Sequence, residues 1–220
     1  RGLPLADLLG REWDVLRPST DRPGRAQLAV SPTGRAAHVY LLPADGERAR
    51  HPEVGGRLID TEGVELVCWL EDAEGEPLRR DNPGTPPPGA RAVVERGGSR
   101  LRFRPGGEVA DLRGVRWGLD GDLAALGAEL TSGRVESDEF PDPLARVWSA
   151  LNAPHAGDFL LSLAPGYEAV DWGGVSHAGG GSHGSLHRGD SLGPLLFLGC
   201  HNLPTQGFGG FAATPGAHLD

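Results

Sequence analysis

Lysine and methionine are missing from the 220 residues, isoleucine occurs once, as Ile59, and cysteine occurs only at Cys68 and Cys200. Each scarcity excludes something. With no lysine, the whole basic complement of 21 is arginine, set against 30 acidic residues for a net charge of −9. No basic stripe offsets that charge, which argues against duplex nucleic acid and anionic membrane surfaces as partners. Two cysteines are too few for a secreted disulfide framework. Two reduced, buried thiols are expected, with one Cys68–Cys200 bridge as the alternative. No window reaches the roughly 18–20 apolar residues of a membrane-spanning helix. The opening RGLPLADLLGREWD has charges every few positions and no apolar signal core. No GxSxG, GxxxxGK[ST], HExxH or CxxC motif occurs. The lack of methionine leads to the expectation that residue 1 is not a native start and that the chain is a processed product or a piece of something longer.

What is present is a glycine- and proline-rich chain (35 Gly, 19 Pro) whose 38% hydrophobic residues come in short blocks. That pattern predicts a packed, loop-rich globule rather than disorder. LPLADLLGREW reads as a short amphipathic helix with Leu5, Leu8 and Leu9 on one face. Residues 26–30 and 36–42 read as two strands joined by a Pro/Gly turn, and residues 52–60 as a short helix. Residues 64–70, VELVCWL, form a strand apolar on both faces. Residues 90–107 predict a β-hairpin turning near Gly97 and Gly98, after a loop at 81–89. Residues 122–130 and 142–152 read as helices, the second with Leu144, Val147, Trp148 and Leu151 on one side. FLLSLA (159–164) and PLLFLG (194–199) have the look of strands covered on both faces in an α/β sheet.

Between those last two strands lies DWGGVSHAGGGSHGSLHRGD. His177, His183, His187 and His201 bring four of the eight histidines to this region. A glycine-rich loop leaving a buried strand can carry a side chain up to a ligand, and neutral imidazole is the commonest metal ligand. SHGSLH is therefore a candidate metal contact centred on His183, with Asp171 and Asp190 as nearby carboxylates. The competing reading is a solvated loop with incidental histidines, its aspartates engaged in turns. Ser19 and Thr20 read as a plain turn, and His38 as a satisfied core histidine. Trp148, Tyr167 and Trp172 read as packing, the last two bordering the glycine loop.

The order LNAPHAGDFLLSLAPGYE, then GGGSHGSLHRGDSLGPLLFLG, resembles the C-terminal part of type I phosphodiesterases/nucleotide pyrophosphatases of the alkaline phosphatase superfamily. The likeness covers residues 142–200. Residues 26–42 look like the segment that follows that family's Asp-His-Gly metal motif, and 45–140 like its small cap insertion. The resemblance implies an α/β fold with a partial alkaline-phosphatase-like central sheet and a small β-rich cap. Its divisions are a core start at 1–44, the cap at 45–140, a C-terminal core segment with the His-Gly loop at 141–200, and a Gly/Pro-rich tail at 201–220. It also implies a phosphate-ester substrate and two divalent metal ions, zinc in most members, with a Thr or Ser nucleophile. Of the family's functional residues only the histidine of the His-Gly loop is matched here, as His183, a ligand to one metal. The nucleophile and remaining ligands belong N-terminal to residue 1, so the missing N-terminal segment is an implied partner and the 220 residues alone are expected to be inactive. His177 and His187 match no family position and are expected to matter less. The alternative is a non-catalytic binding module that keeps pieces of the fold without the catalytic set.

Overall fold

VELVCWL has apolar side chains at successive positions, so a strand there needs cover on both faces and belongs inside a sheet, not at its rim. A computed structural model of the chain, which describes residues 1–19, 22–44, 49–78, 88–173, 177 and 180–193, places it there. The described elements are β1 (Gly2–Leu3), α1 (Leu5–Leu9), β2 (Leu28–Pro32), β3 (Ala36–Leu41), α2 (His51–Ile59) and β4 (Val64–Glu71). They continue with β5 (Arg91–Arg96), β6 (Ser99–Asp111), β7 (Arg116–Gly121), β8 (Ala128–Thr131) and β9 (Arg134–Ser137). Last come α3 (Pro143–Leu151), β10 (Phe159–Leu163), β11 (Glu168–Ala169) and α4 (Arg188–Ser191). The fold is mixed α/β with a sheet-rich core.

One sheet runs in the order β2-β3-β10-β4-β5-β6-β9-β8, with β7 also paired to β6. Its neighbours are antiparallel apart from the parallel β6–β9 contact. β10 lies between β3 and β4, with Leu161 opposite Ala37 on one side and Val67 on the other. This pairing corrects the expected separate cap over 45–140. β4 falls inside that range yet pairs directly with β10 from the presumed C-terminal core. Its two apolar faces require this: a strand in a small independent cap would leave one of them wet.

Alternation along β4 divides the core. Val67 and Trp69 join Phe159, Leu161 and Leu163 of β10 beneath α1 and α2. Leu66, Cys68 and Leu70 join Phe103, Trp117 and Phe140 on the opposite face, closed by Leu144, Val147 and Leu151 of α3. The amphipathic stripe expected for α3 is therefore the one that packs, while Trp148 lies partly buried against the same cluster. Phe159, at 0% exposure, meets Trp69 edge-on and stacks on His51 at a 4.0 Å centroid distance.

The stretch expected as a helix over 122–130 is instead a short 3-10 turn at Leu123–Leu126 followed by β8. Gly127 stops the turn with a left-handed φ of 50°, and a Cβ there would stand 2.5 Å from Glu139 Oε2. The apolar pair Ala125 and Leu126 fills the core from one turn, so no longer helix is needed. No described helix is long and apolar enough to cross a membrane. Cys68 is buried and unbridged among the described residues. Thr20, Cys200, His201, the 194–199 strand and the 201–220 tail lie outside the described residues, as does most of the 81–89 loop.

Candidate functional site

The histidine loop docks on the turn between β2 and β3. Arg35 N donates to the carbonyl of His183 at 2.9 Å. Two glycines make that approach possible. A Cβ on Gly34 would lie 2.6 Å from His183 O, and one on Gly184 would lie 2.6 Å from Thr33 O. Both have left-handed φ, +71° and +112°, a conformation that costs other residues stability. The glycines further back in the loop meet no such demand: Gly181 has open space around it and Gly180 has only ordinary contacts.

Below that contact sits a buried ion pair. Arg35 Nη1 and Asp190 Oδ1 are 2.5 Å apart, with side chains only 11% and 5% exposed. Arg35 Nη2 also donates to Leu163 O at the end of β10. The other Asp190 oxygen accepts from Ser185 N at 3.0 Å and from Ser185 Oγ at 2.6 Å. Ser162 Oγ of β10 accepts from Leu186 N at 3.0 Å. Asp190 thus spends both oxygens on holding the loop.

Asp171 is similarly engaged: its carboxylate accepts from Leu5 N and Ala6 N at the start of α1. Burial raises its pKa against the opposing pull of those two N–H groups. Neither aspartate is confined to a local turn: Asp171 meets the start of α1 165 residues away, and Asp190 pairs with Arg35 as well as with Ser185.

His183 itself is exposed, with its carbonyl held by Arg35 N. His177 pairs through Nδ1 with Glu168, which also accepts from His177 N at 3.1 Å and Ser182 Oγ at 3.0 Å. Those bonds, the imidazole's foremost, hold the Glu168 carboxyl down at about 2. His38 is half-buried and accepts from Gly157 N at 3.2 Å, with its pKa lowered by burial. Trp172 donates to Val30 O at 2.7 Å, and Tyr167 donates to Glu62 Oε1 at 2.5 Å. Ser19 is an exposed turn residue.

His187 is the loop histidine that meets two carboxylates at once. Its Nε2 is 3.5 Å from Glu65 Oε2 and 3.5 Å from Glu139 Oε1. Arg96 bonds both glutamates, at 2.7 Å to Glu65 Oε1, 2.8 Å to Glu139 Oε2 and 2.5 Å to Glu139 Oε1, the oxygen that also faces His187. Glu65, Glu139 and His187 form the one group of described acidic, histidine or cysteine residues whose donor atoms could hold a metal ion. Sequence reading missed Glu65 and Glu139, and the placement of His187 four residues after His183 was the one signal pointing there.

A cleft of about 160 Å³ lies between α3 and the sheet, with Leu66, Cys68, Val147, Leu160 and Arg146 in its lining. It has little means of holding a phosphate ester. Arg146 Nη1 is spent on the carbonyls of Pro141 and Leu186, and burial pushes the Cys68 thiol up to about 12, far from a reactive thiolate. Comparison with known proteins returns no matching family model, no matching curated protein and no matching solved structure.

Proposed function

We propose that the chain is the C-terminal part of a metal-dependent hydrolase of phosphate esters, of the phosphodiesterase/nucleotide pyrophosphatase type, with His183 as one ligand to a divalent metal. Zinc suits an imidazole ligand best among common hydrolytic metals. The supporting observation is the way His183 is held. Its carbonyl is fixed by Arg35 N across two glycines, and the Arg35–Asp190 pair locks the loop beneath, while the residue remains exposed. A ligand needs a fixed backbone and access to solvent, and the held carbonyl and the exposure of His183 support this reading. A metal bound there contributes Lewis-acid stabilisation of phosphoryl charge. The chain's own part is to orient one imidazole. The alkaline-phosphatase-like sheet and the remaining ligands belong to the same proposal.

A non-catalytic binding module is the second reading. It is favoured by the absence of any carboxylate grouped with His183 among the described residues. Hydrolysis of bis(4-nitrophenyl) phosphate by the full-length gene product with added zinc separates the two. The hydrolase reading expects turnover that falls about 100-fold or more in His183→Ala, with the circular-dichroism spectrum unchanged. Turnover within about threefold of wild type in that variant, or no zinc-dependent turnover at all, would leave the binding module in its place.

A further inference from the structure

Glu65 lies in β4, Glu139 just ahead of α3, and His187 just ahead of α4, so three distant parts of the chain bring donors to one place. His187 Nε2 stands 3.5 Å from an oxygen of each glutamate. That is too long for a good hydrogen bond. It is close to the separation of two donors on one tetrahedral zinc, about 3.3–3.5 Å for bonds of about 2.0–2.2 Å. The third pair, between the glutamates, also falls within 4.8 Å.

A second observation concerns Glu65 alone. Its Oε2 is enclosed by protein and has no hydrogen-bond partner, a state that ordinarily marks a place for a water or ion. Arg96 does not relieve it, because Arg96 meets Glu65 through Oε1. Two carboxylates against one guanidinium leave net negative charge beside the imidazole, which favours a cation there. Phe140 packs edge-on against the His187 ring at 5.1 Å and lies under Arg96 at 5.0 Å, which limits how far either can swing away.

The geometry points to a divalent-cation site of the zinc class, with Glu65 Oε2, Glu139 Oε1 and His187 Nε2 as protein donors and a solvent molecule in the fourth position. It is independent of the reading of His183. The bound ion ties β4, the approach to α3 and the far end of the histidine loop together, and so adds to the hold of the Arg35–Asp190 pair on the loop.

Zinc competition against a chromophoric chelator, on the 220-residue chain, tests it. One equivalent of zinc should bind, with binding weakened at least about tenfold by Glu65→Gln and by His187→Ala and unchanged by His183→Ala. Zinc should also raise the melting temperature of the wild-type chain relative to EDTA, since it binds only the folded state. X-ray absorption on the wild-type zinc complex, which needs no variant to fold, should show one imidazole in an otherwise oxygen shell. No zinc binding, binding that survives both substitutions or is lost in His183→Ala, or a shell with two or more imidazoles or a sulfur would each overturn the assignment.

Discussion

Replacing Asp190 with alanine removes the carboxylate beneath the histidine loop and leaves the Arg35 guanidinium, 11% exposed, without its charged partner. The N–H and hydroxyl of Ser185 lose their acceptor in the same step. Breaking a buried pair by deleting one member costs about 3–5 kcal/mol, chiefly because the surviving charge stays desolvated. At about 2–4 °C per kcal/mol for a chain of this size, the melting temperature should drop by about 6–20 °C. Urea unfolding followed by tryptophan fluorescence measures the loss. Hydrogen exchange at the Arg35 amide, which donates to His183 O, localises it. The double replacement Arg35→Met with Asp190→Leu should recover most of the stability, because apolar side chains of similar bulk tolerate the site better than a lone charge. A loss below about 1 kcal/mol in Asp190→Ala, or a double variant no better than the single one, would refute the claim that this pair holds the loop.

Gly184→Ala should cost about 1–3 kcal/mol, since its φ of +112° and the 2.6 Å approach to Thr33 O both oppose a side chain. Gly189→Ala in α4, with open space around it, is the control and should be neutral or slightly stabilising in the same melts. Burial against Phe159 lowers the His51 pKa to about 4 from an ordinary 6.5. The unfolded chain therefore takes up a proton that the folded chain refuses, and stability should fall by about 3 kcal/mol as pH drops from about 6.5 to about 4. His51→Phe should flatten that part of the profile, and an equally steep profile in the variant would show that other groups carry it.

Local elements were largely legible in the sequence because local chemistry decides them. The α3 stripe of Leu144, Val147 and Leu151, the Gly97-Gly98 hairpin turn and the doubly apolar β4 and β10 each depend on neighbouring residues. Partnerships were not legible. Nothing in VELVCWL or FLLSL names the other as its neighbour, and the likeness to a cap insertion placed them in separate units. Residues 122–130 misled because LAALGAEL carries helical periodicity, whereas Gly127 in a left-handed conformation ends the turn and releases β8.

The sites divide in the same way. The glycine-rich setting drew attention to the histidine loop. What fixes the loop, Arg35, lies 155 residues from Asp190, and no spacing encodes that. Glu139 sits in an acidic segment and Glu65 is the lone charge within the apolar run VELVCWL, and only the folded sheet brings the two to His187.

An anomalous difference map at the zinc edge, from crystals of the full-length gene product grown with zinc, tests the central claim most directly. The account predicts a peak at bonding distance, about 2.0–2.1 Å, from a ring nitrogen of His183. A zinc-dependent, catalytically active crystal in which the His183 ring carries no metal would contradict it.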